Sequence, residues 1–291
     1  MKRFAPLALL ALFPLSGCAI QYVEQEVLLR YDAAADSWDL LLVYKGITAS
    51  DEKEKTVDEA ASIVRRLLGG QRVLASPWGT YDLDDPAFSG DDADVAQVAA
   101  GVSLLDWGLF LDEAERLAGF QRFRLANASR AVDCFNRQLS KALLEEASKE
   151  DFAERTPLLD DRTRLLWCQR AGSGEPWLYQ VDEGIEIDLP MTRASWDRVQ
   201  DAAISEATSA KSASAPNDGP AALLGQHLVY LRHFEIQDDR VILTFGAPVS
   251  HIFRFAIKEA GVKYSSQLKD ALARAGVVLE KLEEPIGLEP R

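Results

Sequence analysis

Residues 23–47, VEQEVLLRYDAAADSWDLLLVYKGI, decide how the rest of this chain is read. Val23, Gln25, Val27, Leu29 and Tyr31 fall on one face of an extended strand, opposite Glu24, Glu26 and Arg30. That period of two marks a half-buried strand. The turn-prone segment from Asp32 to Asp36 leads into Trp38 to Ile47, which is almost wholly apolar and therefore predicts a strand central in a sheet. A second hairpin is expected from Val102 to Leu111 and from Gly119 to Ala126, around Asp112 to Arg116. Between the hairpins, Thr56-Val57-Asp58-Glu59 has the form of a capping box. It is followed by Val57, Ala60, Ala61, Val64, Leu67 and Leu68 at helical spacing, and Gly69-Gly70 ends the run. Residues Val73 to Trp78 read as a further strand. The fold class implied is α+β: antiparallel β-hairpins in a sheet, with helices packed on one side.

Farther along, Asn127 or Ser129 can cap a helix reaching about Ser148, with Val132, Phe135, Leu139, Ala142 and Leu143 on its buried stripe. Strands are expected at Arg164 to Gln169, Pro176 to Val181 and Ile185 to Leu189, with Gly172-Ser173-Gly174 as a hairpin turn. Met191 to Ala207 reads as a helix with Thr192 near its start. Thr208 to Pro220 is small, polar and rich in Pro and Gly, the composition of a flexible linker or long loop. Beyond it, 221–236 is ambiguous between helix and strand. Arg240 to Gly246 and Ile252 to Ile257 read as strands, Ser265 to Ala275 as a helix stopped by Gly276, and Val277 to Leu282 as a strand. The expected organisation is a leader over 1–17, a main α+β body over 18–207, a linker over 208–220, and a C-terminal α+β segment over 221–291 docked on that body.

The first 18 residues add a different kind of signal. Lys2 and Arg3 open the chain, Phe4 to Phe13 is apolar but too short to span a bilayer, and Leu15-Ser16-Gly17-Cys18 follows. This run resembles a bacterial lipoprotein signal peptide with its lipobox. The resemblance implies a diacylglyceryl thioether on Cys18, cleavage before it, and fatty acylation of the new amino group. Each buried methylene contributes about 0.8 kcal/mol, so two or three chains hold a protein at a membrane without a transmembrane helix. Ala19 is not the aspartate that keeps such proteins in the inner membrane, which implies the periplasmic leaflet of the outer membrane.

Composition fits an exported, folded body. Acidic residues number 46 against 32 basic ones, and loss of Lys2 and Arg3 with the leader takes the formal charge from −14 to −16. Such a surface repels nucleic acid. With 47% apolar residues the chain can bury one large core or two smaller ones.

Candidate chemistry is sparse. Cys134 and Cys168 are the two thiols left once Cys18 is assigned to lipid, and a disulfide or two unpaired buried cysteines both fit an oxidising compartment. His227, His233 and His251 are too far apart to ligate one ion from a regular element, and His251 follows the loop-like Pro248-Val249-Ser250. The acidic stretch from Asp82 to Asp94 departs from a calcium loop at Pro86, Ala87 and Ala93, and reads as a solvated acidic loop. Two SxxK runs, Ser50 to Lys53 and Ser266 to Lys269, lack the partner motifs of a serine acyl enzyme. The six tryptophans read as packing residues. Neither metal nor cofactor is called for. The functional expectation is a lipid-anchored envelope protein with a noncatalytic structural, assembly or binding role, with possible envelope protein partners. The alternative is a tethered periplasmic hydrolase whose site assembles only in the fold.

Overall fold

Each strand of the 23–47 hairpin enters a larger antiparallel sheet, as a computed structural model shows. It describes residues 20–50, 53–76, 79–85, 92–182, 184–208, 234–246, 251–254 and 259–279. In chain order the elements are β1 (Ile20–Gln21), β2 (Glu24–Asp32), β3 (Ser37–Lys45), β4 (Thr48–Ala49), α1 (Glu54–Leu68), β5 (Val73–Ser76), β6 (Gly79–Asp82), α2 (Ala93–Ala100), β7 (Val102–Leu111), β8 (Leu117–Ala126) and α3 (Ala128–Ala147). These are followed by α4 (Phe152–Arg155), α5 (Asp161–Ser173), β9 (Leu178–Val181), β10 (Gly184–Pro190), α6 (Arg193–Thr208), β11 (Phe234–Gln237), β12 (Arg240–Gly246), β13 (His251–Arg254) and α7 (Glu259–Arg274). The fold is α+β.

The chain divides into two units. The sheet-rich unit holds residues 15–29, 37–126 and 250–291. Its five-stranded sheet runs β13-β2-β3-β8-β7. β3 and β8 are antiparallel along their whole length, from Ser37 opposite Ala126 to Lys45 opposite Ala118. Leu41, Val43, Phe110, Ala118 and Phe120 form one core cluster with Leu28 packed against it. α1 packs on β4, β7 and α7, and α7 packs on β4 in turn. The α1 face is the expected one, with Val57, Ala60, Ala61, Val64 and Leu67 buried. Its start is not. The helix begins at Glu54 with Lys53 at the N-cap and no side-chain cap bond, so the Thr56 capping box falls inside the helix.

The second unit holds, among the described residues, 30–36 and 127–246. Its antiparallel sheet runs β11-β12-β10-β9, with Gly184 to Pro190 paired to Gly246 through Arg240. α3 packs on α5 and β9, and α5 on β10. The core includes Trp177, Trp196, Met191, Leu159 and Leu243, all essentially inaccessible.

Three local expectations are corrected. Residues Arg164 to Gln169 are not a strand but the middle of α5, capped by the Asp160 carboxylate on the Thr163 amide at 2.7 Å. Gly172-Ser173-Gly174 is therefore not a hairpin turn. Gly174, at φ +75°, closes the helix in the left-handed conformation. The segment after Asp92 is helical rather than an acidic loop, because that carboxylate accepts from the amides of Asp94 and Val95 and caps α2.

The start of α3 shows a different device. Asn127 makes no side-chain cap bond. Instead the Asp36 carboxylate accepts from the Ser129 amide at 3.0 Å and from its hydroxyl at 2.6 Å, while the Asp36 carbonyl accepts from the Ala128 amide at 2.8 Å. The Ser129 hydroxyl leads the contacts that hold the Asp36 carboxyl below its ordinary range.

After the expected linker the described elements separate. β11 and β12 complete the sheet of the second unit, whereas β13 and α7 belong to the sheet-rich unit. Residues 209–233 lie outside the described residues, as do 255–258 and 280–291. The linker is thus beyond description apart from Thr208, as are most of 221–236 and half of the strand expected over 277–282, whose described residues 277–279 are not in a strand.

Candidate functional site

Two polar clusters form in the second unit, and both begin with a helix end meeting a strand. On β10, Asp188 is fully buried. Its carboxylate accepts from Arg240 Nε at 3.0 Å and from Arg170 at 2.9 Å, and Arg240 makes a second, closer contact. Arg170, only 6% exposed, also donates to the Asp188 carbonyl at 2.7 Å and to Glu175 at 3.1 Å, and it stacks 5.5 Å above the Trp177 ring. Trp177 meets Trp167 edge to face, and each indole N–H is satisfied, by Ser140 and by the Pro190 carbonyl. Burial pushes the Asp188 carboxyl up, but the hydrogen bonds and charges of Arg240 and Arg170 outweigh it and hold it below the ordinary range. Asp188 is therefore an ionised structural centre with no proton to exchange near neutrality.

The second cluster joins the N-termini of α5 and α6. Asp160 caps α5, and the Thr192 hydroxyl accepts from the Ser195 amide at 3.2 Å and donates to Asp160. The Asp160 amide donates to Ser195 Oγ at 2.9 Å, and the Thr192 amide to Thr163 Oγ1 at 3.1 Å. Each helix is capped by the residue that precedes it, and a hydroxyl on each helix accepts from the backbone amide of the other's cap residue. A carboxylate beside Ser195 suggests an activated nucleophile, but Ser195 and Thr163 are fully buried and their hydroxyls face each other at 3.0 Å. No substrate reaches them in this arrangement.

Burial raises the Asp160 carboxyl, and the bonds from Thr192 and Thr163 outweigh it, taking it from 3.8 to about 2. A carboxyl depressed on folding stabilises the native state above its unfolded value and loses that contribution as pH falls through its folded value. The window here is from pH about 4 to about 2. The Asp160 side chain is 29% exposed, so its contribution, screened by solvent, is about 1–2 kcal/mol. Asp160→Asn is expected to flatten the pH dependence of stability across that window. Urea melts at pH 5, 4 and 3 check it, and a parallel offset at all three would refute the linkage.

In the sheet-rich unit a shallow recess, partly open to solvent, is lined by Tyr44, Ile47, Leu67, Trp107, Leu109 and Phe120. Trp107 is 36% exposed, and its ring lies directly on Gly70, where a Cβ would come within 2.6 Å of Cζ2. At the floor, Gln121 is satisfied by the Tyr44 hydroxyl at 3.2 Å and the Val73 carbonyl at 2.6 Å. Among the described residues that line it, Tyr44 is the one titratable side chain.

The residues singled out in the sequence are scattered through the fold. Cys134 on α3 is buried and Cys168 on α5 half-buried, and no disulfide joins them in this structure. His251 begins β13 opposite Val27 and so lies on a strand, not the expected loop. His227 and His233 lie outside the described residues, as do Cys18, Trp78 and Pro86 to Asp91. Among the described residues, Asp82 and Asp84 of the acidic stretch are paired with Arg66 and Arg72. Also among the described residues, no group of three or more His, Cys, Asp or Glu side chains could hold a metal, and no helix is long and apolar enough to cross a membrane. The Asp188 triad gave no sequence signal, since its members are brought together from separate elements.

Comparison with protein-family models, with curated proteins and with solved structures finds no match.

Proposed function

We propose that this chain is a lipid-anchored cell-envelope protein, held by acyl chains on Cys18 in the periplasmic leaflet of the outer membrane, with a noncatalytic structural, assembly or binding role. The observation that carries the reading is the lipobox Leu15-Ser16-Gly17-Cys18 followed within two residues by Ile20, which is already buried in the β1–β4 ladder. Cleavage before Cys18 leaves the folded elements whole. The polar clusters described above favour binding or assembly over catalysis, because their buried groups are engaged with one another.

Cys18→Ala is expected to abolish incorporation of a labelled fatty acid and to move the protein from the detergent phase to the aqueous phase. Label that persists on the alanine variant would overturn the assignment.

A further inference from the structure

The distance between the acyl anchor and the folded body is set by the sequence and by β1 together. Only Ala19 separates Cys18 from Ile20, so their Cα atoms are at most about 7 Å apart. Ile20 is not a loose start. It pairs with Ala49 and Gln21 with Thr48, and Ile20 and Tyr22 are each 3% exposed. Tyr22 packs edge to face on Tyr44 at 5.1 Å, and the Val23 amide donates to the Lys45 carbonyl at 2.9 Å. Lengthening the tether by peeling β1 away would expose both apolar side chains and break this ladder.

We propose that the β1–β4 end of the sheet-rich unit docks directly on the headgroup layer that holds its own acyl chains. This deepens the reading of Cys18 as acylated and rests on it. The occupant of this surface is a lipid bilayer, because a two-residue step leaves no room for a protein between anchor and body. Lys53 and Lys55, exposed at the start of α1 a few residues beyond β4, lie at the docking end. The opposite end of the sheet, where Ser37 pairs with Ala126 and Gly101 accepts from the Ala126 amide, is removed by the length of β3, about 26 Å at 3.3 Å per residue. The body is therefore held at one height and with one end down.

The test uses the full acylated chain in phosphatidylcholine vesicles containing a headgroup nitroxide quencher. Reporters are a fluorophore on Lys55→Cys and one on Ala100→Cys, which are exposed at the two ends, each in a Cys168→Ser background; Cys134, 1% exposed, stays unlabelled in the native protein. Quenching at position 55 is expected to be at least twofold greater than at position 100. A 20-residue Gly/Ser spacer inserted between Ala19 and Ile20, with a mean span of about 25 Å, should bring the ratio to one. Equal quenching at both positions in protein whose mass shows acyl chains on Cys18 would overturn the docking and leave the anchor standing. An unmodified mass at Cys18 would overturn the anchor and the docking with it.

Discussion

Asp188→Ala is expected to destabilise the protein by about 3 kcal/mol, because it leaves the Arg170 guanidinium, 6% exposed, buried with only the solvent-exposed Glu175 as counter-ion. Arg240 suffers less, since nearly half of its side chain is in solvent. The penalty arises from the abandoned charge rather than from the net value of the ion pair. Asp188→Leu combined with Arg170→Met should therefore recover more than half of the loss, although it removes more hydrogen bonds than the single substitution. Urea denaturation of the three proteins measures this. A single-variant loss under 1 kcal/mol would mean that solvent screens the triad. Because the Asp188 carboxyl is held below its ordinary range, its contribution is present above that range and is lost only as pH falls below it.

Gly46→Ala is expected to cost about 2–4 kcal/mol through two separable causes. Gly46 sits at φ +68°, where an alanine is strained, and a Cβ there would come within 2.7 Å of Val23 Cγ2. Adding Val23→Ala removes the closest contact, at Cγ2, and leaves Val23 Cβ at 3.2 Å together with the backbone part, so the double variant should be more stable than Gly46→Ala alone even though a methyl-bearing side chain has been trimmed. Thermal melts of the single and double variants decide it. Equal stability of the two would show that the clash contributes nothing.

Where local pattern and tertiary environment agree, the chain is legible. The stripe Val132, Phe135, Leu139 led directly to α3, because its periodicity is the footprint of one buried face, whereas β8 is buried on both faces from Leu117 to Phe123 and was marked by its place in a hairpin rather than by a polar face. Arg164-Leu165-Leu166-Trp167-Cys168-Gln169 misled for the reason short apolar runs do: four to eight residues do not distinguish a strand from part of a helix. The deciding marks lay outside the run, in Asp160 at one end and Gly174 at the other. The cap of α3 had a plausible local owner in Asn127, yet Asp36 performs it from more than ninety residues away, and proximity of that kind leaves no trace in spacing. The candidate sites were unreadable on the same ground. Asp188, Arg170 and Arg240 are common residues on three separate elements, and only the register of β10 against β12 and the packing of α5 unite them.

β13 lies beside β2, with His251 opposite Val27, although more than two hundred residues separate them along the chain. A strand that emerges near the N-terminus must therefore wait for one made near the C-terminus. Closing so long a loop delays folding relative to the local hairpins. A prematurely terminated chain lacks β13 and α7 and leaves the outer edge of β2 unpaired. Completion of this sheet thus reports that the chain has been made past residue 254.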